Sequence, residues 1–275
     1  MRNEPEYKKK QLAAILSRYD AMAVAFSGGV DSTFLLAMAK RCLGKKALAV
    51  TADSPFFPRR ELVFAKRMAD KIGVDHLVLP IAVLDDREIT DNPPERCYFC
   101  KRLIFTALAT EMAKRRIEVL AHGANLDDQS DYRPGARAAF ELGVVAPLTL
   151  AGLNKSDIRI LSEHMGLETW NKPAMACLAS RIPYGTRIDP NALDMVEKAE
   201  AVLQDLGFAA CRVRHHGRVA RIEIPEDDLQ HILEVPIRNR VVSRLIGIGY
   251  LHVALDLEGY VRGGMNRAWS VEHRT

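Results

Sequence analysis

No apolar run in the 275-residue sequence is long enough to span a bilayer, and Met1-Arg2-Asn3-Glu4-Pro5 lacks the apolar stretch of a secretion signal. These absences point to a cytoplasmic protein with no membrane partner. There is no long-period repeat and no low-complexity tract, which excludes solenoids and arrays. Charge of one sign is scarce too: the net charge is only +4, and the basic clusters Lys8-Lys9-Lys10 and Lys114-Arg115-Arg116 have no aromatics between them. They read as solvated helix faces, so no nucleic-acid partner is expected. Cysteines number only five, odd in count and uneven in spacing. That pattern fits reduced thiols better than a disulfide framework.

What is present is a hydrophobic content of 48%, enough for one large core or two modest ones. Helical spacing is read at 6–18, 31–42, 59–72 and 101–115, and short apolar strands at 21–26, 46–51, 76–79 and 117–121. Such alternation predicts an α/β fold, a parallel sheet with helices on both faces. After Trp170, prolines and glycines punctuate the chain at Pro173, Pro183, Gly185 and Pro190 before a new helix at about 191–206. Beyond it lie short strands at 212–215, 219–224 and 250–256 and helices at 227–233 and 238–248, a smaller C-terminal α+β unit. The expected division is 1–170, a linker over 171–188, and 189–275.

The most informative segment is Ser27-Gly28-Gly29-Val30-Asp31-Ser32, placed where a strand turns into a helix. Glycines let backbone N–H groups approach an anion, and the helix start adds unpaired donors and a favourable dipole. The G-x-x-x-x-G-K-[ST] spacing is missing, which argues against ordinary γ-phosphate chemistry. Thr51-Ala52-Asp53 and His122-Gly123-Ala124-Asn125 fall at neighbouring strand ends, where ligands of such sheets sit. Asp53 and Gly123 are therefore candidate nucleotide contacts. Asp127, Asp128 and Asp131 form an acidic group that suits metal binding or, more commonly, helix capping.

Cys97 and Cys100 form a C-x-x-C on a loop entering a helix. A redox pair, half of a zinc site and two iron–sulfur ligands all remain open. Cys177 is a third thiol in a comparable loop, whereas Cys42 and Cys211 read as small buried hydrophobes. Three thiolates without a fourth ligand suit a cluster with one exposed iron able to hold sulfide; a three-cysteine zinc site with water is the competitor. Cys177, followed by Ser180 and Arg181, also suits a nucleophile. Arg212 and Arg214 alternate on a strand and share a face, and with Arg181 they suit phosphate and carboxylate groups. His215-His216 reads as a turn.

Ser27–Ser32 resembles the pyrophosphate-binding loop of N-type ATP pyrophosphatases. Together with Gly123–Asp128, Asp131–Gly135, Ala176–Tyr184 and Arg212–Arg214, it gives a resemblance to the LarE family over nearly the whole chain. These are ATP-dependent sulfur transferases of the nickel-pincer cofactor pathway of lactate racemase. The resemblance implies an adenine nucleotide α-hydrolase-like fold and adenylation of a carboxylate of pyridinium-3,5-biscarboxylate mononucleotide, with pyrophosphate released. A sulfur nucleophile then displaces AMP. Ser27, Gly28, Gly29 and Ser32 are expected on the β- and γ-phosphates and Asp31 on Mg²⁺. Ser180, Arg181, Arg212 and Arg214 are expected on the substrate, with Cys177, Asp31 and Arg181 catalytic.

The family has two sulfur routes: a linker cysteine consumed to dehydroalanine, or a [4Fe-4S] cluster on three cysteines that passes on a bound sulfide. Here the C-x-x-C is present, and Ala176 stands where the consumed cysteine belongs, one place before Cys177. Both departures favour the cluster on Cys97, Cys100 and Cys177. Glu200 and Glu223 match family positions without an assigned role, and His231 stands where relatives carry an acid. Relatives imply a homo-oligomer, and sulfide or a sulfur-donor protein is the implied sulfur source. The alternatives are sacrifice of Cys177, a tRNA thiolase or amidating synthetase of the same superfamily, and a non-catalytic nucleotide- or metal-sensing module.

Overall fold

The computed structural model describes residues 4–130, 134–173 and 176–261. The chain divides into two compact units, Met1–Val83 with Glu95–Met175, and Leu84–Pro94 with Ala176–Thr275. In chain order the elements up to the second unit's main body are α1 (Glu4–Leu16), β1 (Met22–Ala25), α2 (Val30–Leu43), β2 (Ala47–Asp53), α3 (Arg59–Ile72), β3 (Asp75–Pro80), α4 (Arg87–Thr90), α5 (Arg96–Lys114), β4 (Leu120–His122), α6 (Pro134–Glu141), α7 (Pro147–Leu150) and α8 (Lys155–His164).

The first unit is built on a four-stranded sheet in the order β3-β2-β1-β4, every pairing parallel. β1 is Met-Ala-Val-Ala, its first three residues fully buried. A strand paired on both sides and covered on both faces has no solvent face, so it reads as an unbroken apolar run. β1, β2 and β3 succeed one another outward, and the chain then crosses back to lay β4 on the other side of β1. The loops after β1 and β4 therefore flank the reversal of strand order, where such sheets bind ligands.

α2 buries Val30 and every residue from Ser32 to Ala39, which places it within the layer rather than on the surface. Phe34, Leu35 and Met38 pack with Leu12 and Leu16 of α1, Ala49 of β2, and Ile158 and Leu161 of α8. α3 is two-faced and ends at Gly73, whose left-handed φ of 72° lets its N–H reach the carbonyls of Ala69 and Asp70. α8 opens with a capping box in which Asn154 and Asp157 each satisfy the other's backbone N–H. Lys8 of α1 pairs with Asp157 at 2.8 Å.

The second unit continues with α9 (Pro190–Asp205), β5 (Arg212–His216), β6 (Val219–Glu223), α10 (Leu229–Leu233), α11 (Val235–Ile248) and β7 (His252–Leu255). β5 and β6 are antiparallel and β7 joins β6 in parallel. Asp189 caps α9 by accepting from Ala192 N–H, and Pro190 takes the first-turn position that needs no donor. Ala199 and Leu203 of α9 pack with Phe208, Val213, Ile222, Val241, Leu245 and Tyr250 to form the core. The turn of the hairpin is Gly217-Arg218, so His215 and His216, expected as the turn, instead complete β5.

The excursion Leu84–Pro94 is a component that apolar periodicity does not announce. Asn92, buried and at a φ of 57°, donates from Nδ2 to the carbonyls of Ile182, Pro183 and Thr186. Its own carbonyl accepts from Gly185 N–H. A short amide side chain tolerates the left-handed region better than most, and here it pins the loop before α9. Among the described residues no helix is long and apolar enough to cross a membrane.

Candidate active site

β1 ends at Ala25, and the turn Ser27-Gly28-Gly29 leads directly into α2. Gly28 has a φ of 70°, and a Cβ on it would lie 3.1 Å from Ala65 Cα and 3.2 Å from Phe64 Cδ1. Both conformation and space therefore demand glycine. Gly29 is the N-cap of α2 in extended conformation, with no side chain capping the helix. The hydroxyls of Ser27 and Ser32 lie 3.2 Å apart, and Ser32 donates to the Gly29 carbonyl at 3.2 Å. Backbone donors, two hydroxyls and a helix start are thus collected at the ligand end of the sheet, an anion-binding arrangement.

Gly123, after β4, has a packing reason of its own. A Cβ there would come 2.9 Å from Ser32 N and 3.1 Å from Ser32 Cα, so the end of β4 is pressed against the first turn of α2. Asp31 in that turn accepts from Lys155 Nζ at 2.5 Å and from Asn125 Nδ2 at 3.4 Å. Lys155 opens α8, and its own N–H bonds Asp127 Oδ2 at 2.9 Å. Asp128 accepts from the Asn125 N–H at 3.0 Å, while the Asp127 N–H donates to Asn125 Oδ1 at 2.9 Å. Asp127 and Asp128 therefore shape the loop and the start of α8; Asp131 lies outside the described residues. Asp53 pairs with Arg59 of α3 at 2.5 Å, and Arg59 also donates to the Ser54 carbonyl.

His122 ends β4 against the ring of Phe105, with centroids 5.7 Å apart. Burial lowers its pKa to about 4, with Lys101 adding to the shift and Asp128 opposing it. It is a neutral imidazole at ordinary pH.

The C-x-x-C departs from expectation in its backbone. α5 begins at Arg96, so Cys97 and Cys100 lie within a helix rather than on an entering loop. Spacing of three places them on one helical face. Cys97 is half-buried and Cys100 buried, and Arg96 approaches Cys97 Sγ at 3.7 Å. Among the described residues no group of three or more His, Cys, Asp or Glu side chains is placed to hold a metal ion.

In the second unit Cys177 precedes a short 3-10 turn, Leu178–Arg181. Arg181 was expected on the substrate, yet it is 1% exposed and turned inward. Its Nε and Nη2 meet Glu200 Oε1 and Oε2 at 2.7 and 2.9 Å, and Nη1 donates to the carbonyls of Ala176 and Cys177 at 3.0 and 3.1 Å. The Ser180 hydroxyl adds a 2.6 Å bond to the Cys177 carbonyl. Glu200 Oε1 also accepts from Val213 N–H of β5 at 3.1 Å. Arg214 makes a second forked pair, with Glu223 at 2.9 and 2.6 Å, and reaches the Ser180 carbonyl at 2.8 Å. Arg212 donates to the Cys211 carbonyl at 2.7 Å and lies 5.2 Å from the Tyr260 ring centroid. Burial lowers its pKa, with Arg181 contributing and Glu200 opposing.

Motif reading missed Lys155, Arg59 and Lys172, and it left Glu200 and Glu223 without a role. The carboxylates become readable only once β5 and β6 are aligned. Lys155 carried a signal, since it follows Asn154 and precedes Asp157 in a capping pattern.

A parallel sheet with helices on both faces and a Ser-Gly-Gly-Val-Asp-Ser turn at its reversal point defines an adenylating ATP-dependent enzyme of the N-type ATP pyrophosphatase superfamily. A family model described as asparagine synthase matches residues 16–123. The chain is 36% identical to pyridinium-3,5-bisthiocarboxylic acid mononucleotide synthase of Lactiplantibacillus plantarum over 94% of each chain. It is 38% identical to an uncharacterized protein of Synechocystis over 95% of this chain and 98% of that one. An uncharacterized protein of Methanocaldococcus jannaschii is 30% identical over 86% of this chain and 89% of its own. The chain belongs to the LarE family.

Proposed function

We propose that the protein adenylates a carboxylate of a pyridinium-3,5-biscarboxylate mononucleotide with ATP, releases pyrophosphate, and converts the acyl-adenylate to a thiocarboxylate with loss of AMP. The observation that carries the first half is the anion-ready turn at Ser27–Gly29 joined to the uncapped start of α2. Adenylation must neutralise several phosphate charges at once, and backbone donors held in place do so without reorganisation. Ser27, Gly28, Gly29 and Ser32 take the β- and γ-phosphates. Asp31, now paired with Lys155 at 2.5 Å, would hold Mg²⁺, an oxygen-seeking ion that would supply charge neutralisation to the phosphates. Asp53 and Gly123 border the nucleotide.

The substrate falls to the second unit's guanidinium groups. Arg212 takes the ribose phosphate or the second carboxylate, with Ser180 beside it; Arg214, expected there too, has its forked face on Glu223 and is better suited to holding the Ser180 carbonyl. Arg181, expected there as well, is better suited to holding the Cys177 backbone, because its forked face is taken by Glu200.

For sulfur, we propose the cluster route. The chemistry of the donors supports it, Cys97 and Cys100 standing one helical turn apart at the start of α5 with Cys177 of the second unit as a third thiol, although among the described residues no three such groups are gathered. These residues would hold a [4Fe-4S] cluster, which supplies an open iron able to carry sulfide from free sulfide or a donor protein. The second reading, consumption of Cys177, is favoured by the bonds from Ser180 and Arg181 that fix its carbonyl. We place the protein in the cytoplasm, in keeping with five free thiols, and as a homo-oligomer.

The test has two readouts. Pyrophosphate release from ATP should require the pyridinium substrate and vanish in Asp31→Ala while the protein still folds; unchanged release would remove Asp31 from the reaction. Anaerobic preparation should yield iron and sulfide bound in proportion to protein. Absence of iron after reconstitution, with dehydroalanine at position 177 after turnover, decides for the sacrificial route.

A further inference from the structure

Lys172 belongs to none of the motifs, yet it lies against the glycine turn. Its Nζ is 3.3 Å from the Gly28 carbonyl oxygen, 2.7 Å from Glu61 Oε2 and 3.5 Å from the centroid of the Phe64 ring. The side chains of Lys172 and Glu61 are only 15% and 17% exposed. Burial lowers the ammonium pKa, and the bond to Glu61 opposes that shift. Phe64 and its neighbour Ala65 are also the residues a Cβ on Gly28 would strike. One side of the turn is thus closed by α3 and this lysine.

In a planar trans peptide, the carbonyl of one residue and the N–H of the next point in opposite directions. A cation held on the Gly28 oxygen therefore fixes the Gly29 N–H away from Lys172. That N–H donates to the Ser27 hydroxyl oxygen at 3.4 Å, a long bond that a phosphate oxygen would replace, on the side where the turn and the helix start offer their donors. We infer that Lys172 is a positioning residue for the pyrophosphate loop: its ammonium, braced by Glu61, pins the Gly28 carbonyl so that the Gly29 N–H is presented to the β- and γ-phosphates of a nucleoside triphosphate. The inference rests on the proposed ATP site and deepens it. Lys172 needs no contact with the ligand, because its effect passes through one peptide plane. A charged donor on a carbonyl is roughly twice as strong as a neutral one, and the surrounding ring and helix limit screening.

The test is calorimetric titration of the full-length chain with Mg-ATP, with Mg-pyrophosphate and with adenosine. Lys172→Met should weaken ATP and pyrophosphate by about tenfold, the effect of losing one charge-assisted hydrogen bond, and leave adenosine nearly unchanged. KM for ATP should rise in step while kcat changes little. Lys172→Arg, which keeps a cationic donor, should recover part of the loss, and Glu61→Gln should show a smaller loss of the same kind. Equal weakening of all three ligands would reduce Lys172 to a general structural role and overturn the inference. So would a Lys172→Met protein that melts with the parent and binds pyrophosphate as tightly. If that variant does not fold, the same comparison is made with Glu61→Gln, where unaltered preference for pyrophosphate over adenosine overturns it. A parent chain that binds neither ATP nor pyrophosphate refutes the proposed function itself, which separates the two failures.

Discussion

Removing Glu200 tests the second unit most severely. Its carboxylate is 2% exposed and accepts from Arg181 Nε, Arg181 Nη2 and the Val213 N–H, while the Arg181 side chain has no exposure at all. Glu200→Ala therefore leaves a buried guanidinium without its counter-charge and a strand N–H without its acceptor. Breaking a buried pair on one side costs about 3–5 kcal/mol, a large part of the roughly 5–15 kcal/mol that holds a domain together. The melting temperature should fall on the order of 10 °C. Glu200→Gln, which keeps the shape and one acceptor, should lie between parent and alanine. The double replacement Arg181→Met with Glu200→Leu should recover much of the loss, since it removes both charges together. Urea denaturation followed by far-UV circular dichroism reads all three variants. A Glu200→Ala protein that loses less than about 1 kcal/mol, the scale of an exposed pair, would refute the reasoning.

Two more predictions concern the first unit. Gly123→Ala forces a methyl group to within 2.9 Å of the Ser32 backbone nitrogen, and backbone on both sides cannot yield cheaply. It should cost about 1–3 kcal/mol of stability and raise KM for ATP, whereas alanine at Gly143, where nothing lies within 4 Å of a Cβ, carries only the strain of its positive φ and should leave that KM alone. His122 has a folded pKa of about 4, below its ordinary value, so the unfolded chain binds the proton more readily. Its contribution is complete above pH 6.5 and is lost as pH falls toward 4, in total about 3 kcal/mol. Stability measured across that window should flatten in His122→Gln; an identical slope in parent and variant would show that the histidine is not buried as described.

The parts of the fold that could be read in advance are those with a local cause. α3 was readable at Arg59–Ile72 because its apolar positions repeat cleanly and Gly73 ends it. β1 and β2 were visible as short apolar runs, and the phosphate turn as a glycine pair set between strand and helix. α5 begins ahead of the expected Lys101 because its first turn buries Arg96 and Cys100, and a buried arginine does not extend the apolar repeat by which the helix is read. α8 escaped although its capping box is written in Asn154 and Asp157, because its apolar face is short. The site's ion pairs were illegible for a different reason. Asp31 and Lys155 are 124 residues apart, and Lys172 and Glu61 are 111 apart. No period or motif relates residues at such distances; only the folded sheet with its helices brings them together. The pairing of Arg181 with Glu200 was equally hidden, because nothing nearby in sequence discloses that the carboxylate of α9 meets that guanidinium.

The short excursion that carries Asn92 has a consequence for how such proteins diversify. Because Leu84–Pro94 and the chain after Ala176 build one unit, that unit is stitched from two pieces of gene. It cannot be inherited, grafted or excised as a single cassette. A recombination event that exchanged only the downstream stretch would deliver the loop around Pro183 without the amide that fastens it, so the two pieces are obliged to evolve in step.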